Sequence, residues 1–267
     1  MPVGYSIYID RPSTVHTRLD PRTKLVCLFT AFALALVFNH PLILALLMLG
    51  VLAVGVWARL PLRSFRPFLL GALWFIVLGV LIWPFYIHSG PVLLAVRGVG
   101  FTTVGLAFGL AMGLRVGLMV TAAGVWMMTT SPQKMTLGLM RMGLPDKAGM
   151  TMATAIRFVP LINAERMTIV EAQRARGLDL SRGNPIGRSI RWVAVIGPML
   201  VRAIDLAQSL AIAMEARAFG VRSRRSSIVS IDLTTLDRVV MLACLAAVLI
   251  GLALRILGIG LIVDNYL

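Results

Sequence analysis

The sequence predicts an all-α, polytopic membrane protein: about five transmembrane helices and a cytoplasmic region of amphipathic helices. Three observations carry that reading. Over 267 residues, 58% are hydrophobic and 14% are charged, and the mean hydropathy is +0.88. A soluble domain is about half apolar and roughly a quarter charged. Apolar runs of helical length recur along the chain, and a single long polar stretch, 129–236, interrupts them.

Val26–Phe38 and Leu42–Trp57 read as two helices joined by a very tight turn at Asn39-His40-Pro41, because Pro41 cannot continue a helix interior and biases His40 towards extended backbone. Both are short for about 30 Å of hydrocarbon. The basic loop Arg59–Arg66 follows, then a third span at Phe68–Ile87, an almost uncharged loop at 88–97, and a fourth apolar stretch at Val99–Met128. A division of the stretch 91–128 would make a sixth span. Val239–Val263 is the last. Three segments result: 1–128, 129–236 and 237–267. The polar first 23 residues hold no apolar run before a cleavage site, so no secretory signal peptide is expected.

Loop charge sets the orientation. Arg18, Arg22 and Lys24 precede the first span, and Arg59, Arg63 and Arg66 separate the second from the third. The intervening loops are nearly free of Lys and Arg. The positive-inside rule then puts the N-terminus and the polar region in the cytoplasm. The formal net charge of +15 fits loops facing anionic headgroups better than nucleic acid, since no basic motif of a nucleic-acid module is present.

Within the polar region, Ser131-Pro132 signals a helix start, and Gly143-Leu-Pro145 ends that short helix. Helical regions at Asp146–Leu178 and Pro185–Phe219 follow a turn at Arg182–Pro185. Pro160 and Pro198 are expected to kink or break them. Arg202 and Asp205 are neighbours at helical spacing. Glu171-Ala-Gln-Arg-Ala-Arg-Gly177 is echoed by Glu215-Ala-Arg-Ala-Phe-Gly220. Arg176 and Arg217 stand where each helix should end, between small neighbours. A guanidinium with five donors in a fixed fork suits an acidic or carbonyl-lined groove. The plainer reading is two arginines complementing helix dipoles. The repetition favours docking onto two similar partners.

Gly105, Gly109, Gly113 and Gly117 repeat every fourth residue and draw a smooth stripe along the fourth span. It serves either packing within the chain or contact with a second membrane protein. Arg115 in the same stretch is expected to pair structurally. Met135, Met140 and Met142 belong to a cluster of methionines, whose flexible side chains suit adaptable surfaces as well as ordinary packing. Cys27 and Cys244 are far apart and read as small buried residues. The three histidines are scattered, so no metal site is expected. No Gly-x-x-x-x-Gly-Lys-Ser/Thr run, Gly-x-Ser-x-Gly elbow or cluster of aspartates occurs. A stand-alone membrane enzyme, for example a lipid-headgroup transferase, is the competing class.

Leu19-Asp-Pro-Arg-Thr-Lys-Leu25, Thr129-Thr-Ser-Pro132, Ile156-Arg-Phe-Val-Pro160, Ala172-Gln-Arg-Ala-Arg-Gly177 and Ala213-Met-Glu-Ala-Arg-Ala-Phe-Gly220 together carry a resemblance. The chain resembles the transmembrane T component of energy-coupling factor (ECF) transporters, a group that includes cobalt and biotin transport T subunits. The resemblance spans nearly the whole chain. It implies a non-catalytic subunit of an ABC-type importer for a vitamin or transition-metal ion, in a bacterial or archaeal cytoplasmic membrane. Two ABC ATPase subunits would use ATP and Mg, with no cofactor on this chain. A membrane S component would bind substrate. The resemblance assigns ATPase docking to Ala175-Arg176-Gly177 and Ala216-Arg217-Ala218, with Glu171, Gln173, Glu215, Pro160 and Pro198 supporting the coupling helices. Ala218 stands where the first motif has glycine, which leaves open how the chain exits the second helix. The glycine stripe and Met135, Met140 and Met142 are the candidate S-component surface.

Overall fold

The computed structural model describes residues 19–86, 92–96, 99–178, 184–219 and 234–257. Among them are eight α-helices, a 3-10 turn and one short hairpin: α1 (Pro21–Val37), α2 (Pro41–Trp57), α3 (Leu62–Ile82) continued by the 3-10 turn Trp83–Phe85, β1 (Val92–Val96), β2 (Val99–Thr102), α4 (Thr103–Thr129), α5 (Pro132–Arg141), α6 (Asp146–Ala175), α7 (Pro185–Ala216) and α8 (Thr235–Ile256). The all-α membrane architecture is as expected. The antiparallel hairpin β1–β2 replaces the predicted loop and the start of the fourth span.

Most helix starts are chemical. Asp20 accepts from the Arg22 amide with Pro21 at the first helical position, so α1 begins five residues before the apolar run. Ser131 accepts from the Lys134 amide and opens α5 where Ser131-Pro132 indicated. Thr102 does the same for α4 through Gly105. α3 begins at Leu62, six residues ahead of the expected span, so Arg63 and Arg66 lie on its first turns instead of in a loop. Prolines 67, 160 and 198 all lie inside continuous helices. Pro160 and Pro198 therefore do not break α6 and α7, and those helices begin at Asp146 and Pro185. The expected turn at Arg182–Pro185 falls mostly outside the described residues.

Four helical segments are long and apolar enough to cross a membrane: Leu62–Phe85, Thr103–Thr129, Ile186–Ala216 and Thr235–Ile256. Three match expected spans. Ile186–Ala216 was placed in the polar region, because Arg202, Asp205, Gln208 and Glu215 interrupt it. α1 and α2 have 17 residues each, about 25 Å at 1.5 Å per residue, and so fall short of a bilayer core without their flanks.

The chain divides into two compact units. α1–α5, the hairpin and α8 form one; α6 and α7 form the other. At the centre of the first, α4 is packed by α1, α2 and α3, while α8 lies against α1. The core is small: Ala35, Leu44, Ala111, Leu114 and Leu118 form one cluster, and Phe65, Val125 and Met128 another. Cys27 and Cys244, 217 residues apart, meet with their sulfurs 3.5 Å apart on the α1–α8 seam.

The glycine stripe of α4 packs against α3 of the same chain. A Cβ on Gly109 would lie 2.5 Å from the Gly79 carbonyl oxygen, and one on Gly113 would lie 2.6 Å from Ile76 Cα. Gly117 faces Ala72 more loosely, at 3.4 Å. Gly105 is also buried. The backbones approach most closely where Gly79 and Gly109 face each other without side chains, the usual logic of small residues between membrane helices. Of the two readings of the stripe, packing within the chain is the one present. These glycines are covered and do not form an open surface.

Gly109→Leu should therefore lower the yield and the melting temperature of the chain in detergent, since overpacking costs about 1–3 kcal/mol and here the obstacle is backbone. Gly50→Ala, where nothing lies within 4 Å of the added carbon, should melt like the parent. Equal melting of Gly109→Leu and Gly50→Ala would contradict the packing.

Candidate partner-docking site

The two arginine tips share one backbone device. α6 ends with Arg176 as its C-cap, followed by Gly177 at φ +86°. The Gly177 amide donates to the Arg174 carbonyl at 2.9 Å and the Leu178 amide to the Gln173 carbonyl at 3.0 Å. α7 ends with Arg217 as its C-cap, followed by Ala218 at φ +53°. Here the Ala218 amide donates to Glu215 and the Phe219 amide to Met214, each at 2.9 Å. Both are Schellman motifs, with the same pair of bonds closing the last turn. The chain thus leaves the second helix as it leaves the first, although Ala218 lacks the freedom of glycine.

This geometry aligns the copies residue by residue. Ala175 corresponds to Ala216, Arg176 to Arg217 and Gly177 to Ala218. Arg174 then corresponds to Glu215, so Glu171 and Glu215 are not equivalent positions. Both arginines are exposed, as are Ala175, Gly177, Ala216 and Ala218. Each guanidinium stands just past a helix C-terminus, where the dipole favours a cation.

α6 and α7 support the tips with little buried surface. Only Gly149 is buried in α6, and Val195 is the buried residue of α7. Polar links join the helices. Arg202 pairs with Glu165 at 3.1 Å, and Gln173 Nε2 donates to the Ala194 carbonyl at 3.1 Å. Moving eight residues up α6 moves eight down α7, so the helices run antiparallel and the two tips leave from opposite ends of the pair. Arg202 thus bonds across to α6, to Glu165, while Asp205 is its neighbour on the same helix. Of the supporting residues, Gln173 makes this cross-link, Glu171 and Glu215 are exposed, and Pro160 and Pro198 sit mid-helix.

In the first unit, Asp20 and Thr23 at the start of α1 converge on Asp237 of α8. Asp237 is fully buried. Its Oδ1 accepts from the Asp20 amide and the Thr23 hydroxyl, both at 2.9 Å. Its Oδ2 accepts from the Thr234 amide at 3.0 Å and the Thr234 hydroxyl at 2.6 Å, closing a capping box. Lys24 Nζ donates to the Thr129 carbonyl at 2.9 Å, capping α4. Sequence reasoning missed Asp237. The signal was the Thr234-x-x-Asp237 spacing before an apolar run.

At the far end of α1, Arg115 donates from Nε to the Ala35 carbonyl at 2.9 Å and from Nη2 to the Phe38 carbonyl at 3.2 Å and to Asn39 Oδ1. Arg255 Nη1 reaches the Leu36 and Val37 carbonyls at 3.4 and 3.3 Å. Four consecutive carbonyls that the helix cannot satisfy are thereby covered by two guanidinium groups. Arg115 is structural, as expected: its partners are two backbone carbonyls, the Asn39 side-chain oxygen and the Met112 sulfur. Met135 and Met142 line a narrow crevice on α5 with Pro21, Leu25 and Trp126. Met142 is 53% exposed, and Met140 is partly buried. Among the described residues, no group of three or more His, Cys, Asp or Glu could hold a metal ion.

A family model described as cobalt transport protein, CbiQ, matches residues 12–228. The chain belongs to this family. Among curated relatives it is similar to the energy-coupling factor transporter transmembrane protein EcfT of Acidaminococcus fermentans, at 31% identity over 79% of this chain and 81% of that protein. It is also similar to the proteins of the same name from Listeria innocua, at 29% over 79% and 83%, and Bacillus selenitireducens, at 29% over 94% and 96%. It is thus a T component of an ECF transporter, a multi-pass membrane protein.

The paired caps differ in one testable respect. A non-glycine residue in the left-handed region is disfavoured by roughly 1–2 kcal/mol. Ala218→Gly should therefore stabilise the end of α7 by up to about 1 kcal/mol, and Gly177→Ala should destabilise the end of α6 by a similar amount. Amide hydrogen exchange over the last turns of each helix measures both. Slower exchange in Gly177→Ala, or faster exchange in Ala218→Gly, would contradict the shared motif.

Proposed function

We propose that this T component couples two ABC ATPase subunits to a substrate-binding S component, for uptake of a vitamin or a transition-metal ion. Arg176 and Arg217, with Ala175, Gly177, Ala216 and Ala218, form the two ATPase-docking tips. The observation that carries the proposal is their equivalence: two exposed arginines, each the C-cap of a long helix, each followed by the same hydrogen-bonded turn. One kind of groove on two like subunits can receive both. ATP and Mg are used by the ATPases, and this chain contributes no catalytic group.

The tips are built for transmission. α6 and α7 have 30 and 32 residues, about 45 and 48 Å long at helical rise. A helix of that length held by a few polar links moves as a lever. Displacing either tip displaces the whole rod, and the antiparallel arrangement gives each ATPase its own rod end. The N-terminus and the α6–α7 unit face the cytoplasm, in keeping with Arg59 just before α3 and Arg63 and Arg66 on its first turns. Met135, Met140 and Met142, on and just after α5, are the remaining candidate surface for the S component, since the glycines of α4 are covered.

Replacing Arg176 or Arg217 by Ala should weaken ATPase binding by about one to two decades, because a charge-assisted contact is worth roughly 1.5–3 kcal/mol. The double replacement should abolish uptake while the chain stays folded and membrane-inserted. Binding to immobilised ATPase subunits and whole-cell uptake are the measurements. Full uptake by a folded double variant would overturn the proposal.

A further inference from the structure

We infer that the pocket between the C-terminal half of α6 and the start of α7 binds the phosphate headgroup of an anionic phospholipid. It is a concavity of about 300 Å³, in which Arg166, Arg174 and Arg188 face a single carboxylate, Glu171. Its remaining lining is apolar, from Met167, Val170 and Trp192. Helical spacing explains the gathering. Residues 166, 170 and 174 step four at a time along one face of α6, and 188 and 192 do the same on α7. The antiparallel register fixed by the Glu165–Arg202 and Gln173–Ala194 links sets these two faces opposite each other.

The rim is prepared for an anion. Arg166 is held by two bonds to Asn163 Oδ1, at 3.1 and 3.0 Å, which orients its fork and leaves other N–H donors for a ligand. Arg174 and Arg188 are exposed. Guanidinium groups suit phosphate because several parallel N–H bonds form at once.

The surroundings decide for a lipid over an acidic protein segment. Trp192 beside Arg188 and Arg191 is the residue pairing of a membrane interface, where an aromatic ring and cationic side chains sit at headgroup level. Ile186, Ile190, Val193 and Ile196 of α7 are all exposed, an apolar surface that can rest on the cytoplasmic face of a bilayer without the helix crossing it. Water would leave that apolar surface unfavourably exposed; acyl chains would cover it while the arginines take the phosphate. Arg176 does not line the pocket, so this site is separate from the docking tip. The inference holds whether or not the tip binds an ATPase.

The test uses the full chain in nanodiscs of equal phosphatidylglycerol and phosphatidylcholine, followed by native mass spectrometry of the lipid that stays bound. The parent should retain phosphatidylglycerol in preference to phosphatidylcholine, and the preference should shrink at high salt. The Arg174→Gln/Arg188→Gln double variant should lose retention by on the order of tenfold or more, and Arg174→Lys/Arg188→Lys should keep most of it. Arg176→Ala should retain lipid as the parent does. Equal retention of both lipids by the parent overturns the inference. So does unchanged phosphatidylglycerol in the Gln double variant, including the case where that variant loses only ATPase capture. If the Gln double variant misfolds, Arg188→Gln alone is read by the same criteria.

Discussion

A fully buried carboxylate, Asp237, holds the first unit together at one end. It belongs to the last helix, yet two of its four hydrogen bonds come from the start of the first, 217 and 214 residues away in sequence. The other two close its own capping box. A carboxylate taken out of water is tolerated only when its lone pairs are met, and deleting partners of a buried charge costs several kcal/mol. The Asp20-Pro21-Arg22-Thr23-Lys24 run has to be there with its amide and hydroxyl in place. Lys24 extends the arrangement to α4 through the Thr129 carbonyl. α1, α4 and α8 are thereby tied together by polar bonds at a common level.

The opposite end of α1 is treated in the complementary way. There the unsatisfied groups are carbonyls, and two arginines from α4 and α8 supply the donors. The same three helices are therefore pinned at both ends of α1, with Cys27 and Cys244 meeting between them. Burial contributes less than usual in such a unit, since lipid solvates apolar side chains about as well as a protein interior does. Close backbone approach at Gly79, Gly109 and Gly113 and satisfied polar groups take its place. The α6–α7 unit follows a different rule. It has almost no core, and its two helices end in the same hydrogen-bonded turn.

Much of this was legible in the residues. Apolar runs gave the membrane class, Ser131-Pro132 gave the start of α5, and the repeated Ala-Arg gave both tips. Other parts were hidden for identifiable reasons. Proline rules suggested breaks at Pro160 and Pro198, but a long helix tolerates an interior proline when the residues on either side continue it, as Pro67 shows again in α3. The start of α1 lay ahead of its apolar run because capping by Asp20, not hydropathy, sets it. The glycine stripe was visible, whereas its partner face on α3 was not: of Ala72, Ile76 and Gly79, which meet it, only one is glycine. Asp237 was concealed by distance, since nothing local ties it to Asp20 or Thr23. The likeness of the two chain exits, through Gly177 and Ala218, emerged only from backbone angles.

The central claim is that one chain presents two equivalent docking ends to two like motor subunits. Its most direct test is the mass of the complex assembled from the purified chain and saturating ATPase subunits, for the parent and for Arg217→Asp. The account predicts two ATPase subunits per parent chain and one for the variant, with the first tip still engaged. A single ATPase on the parent chain, or two retained by Arg217→Asp, would contradict it.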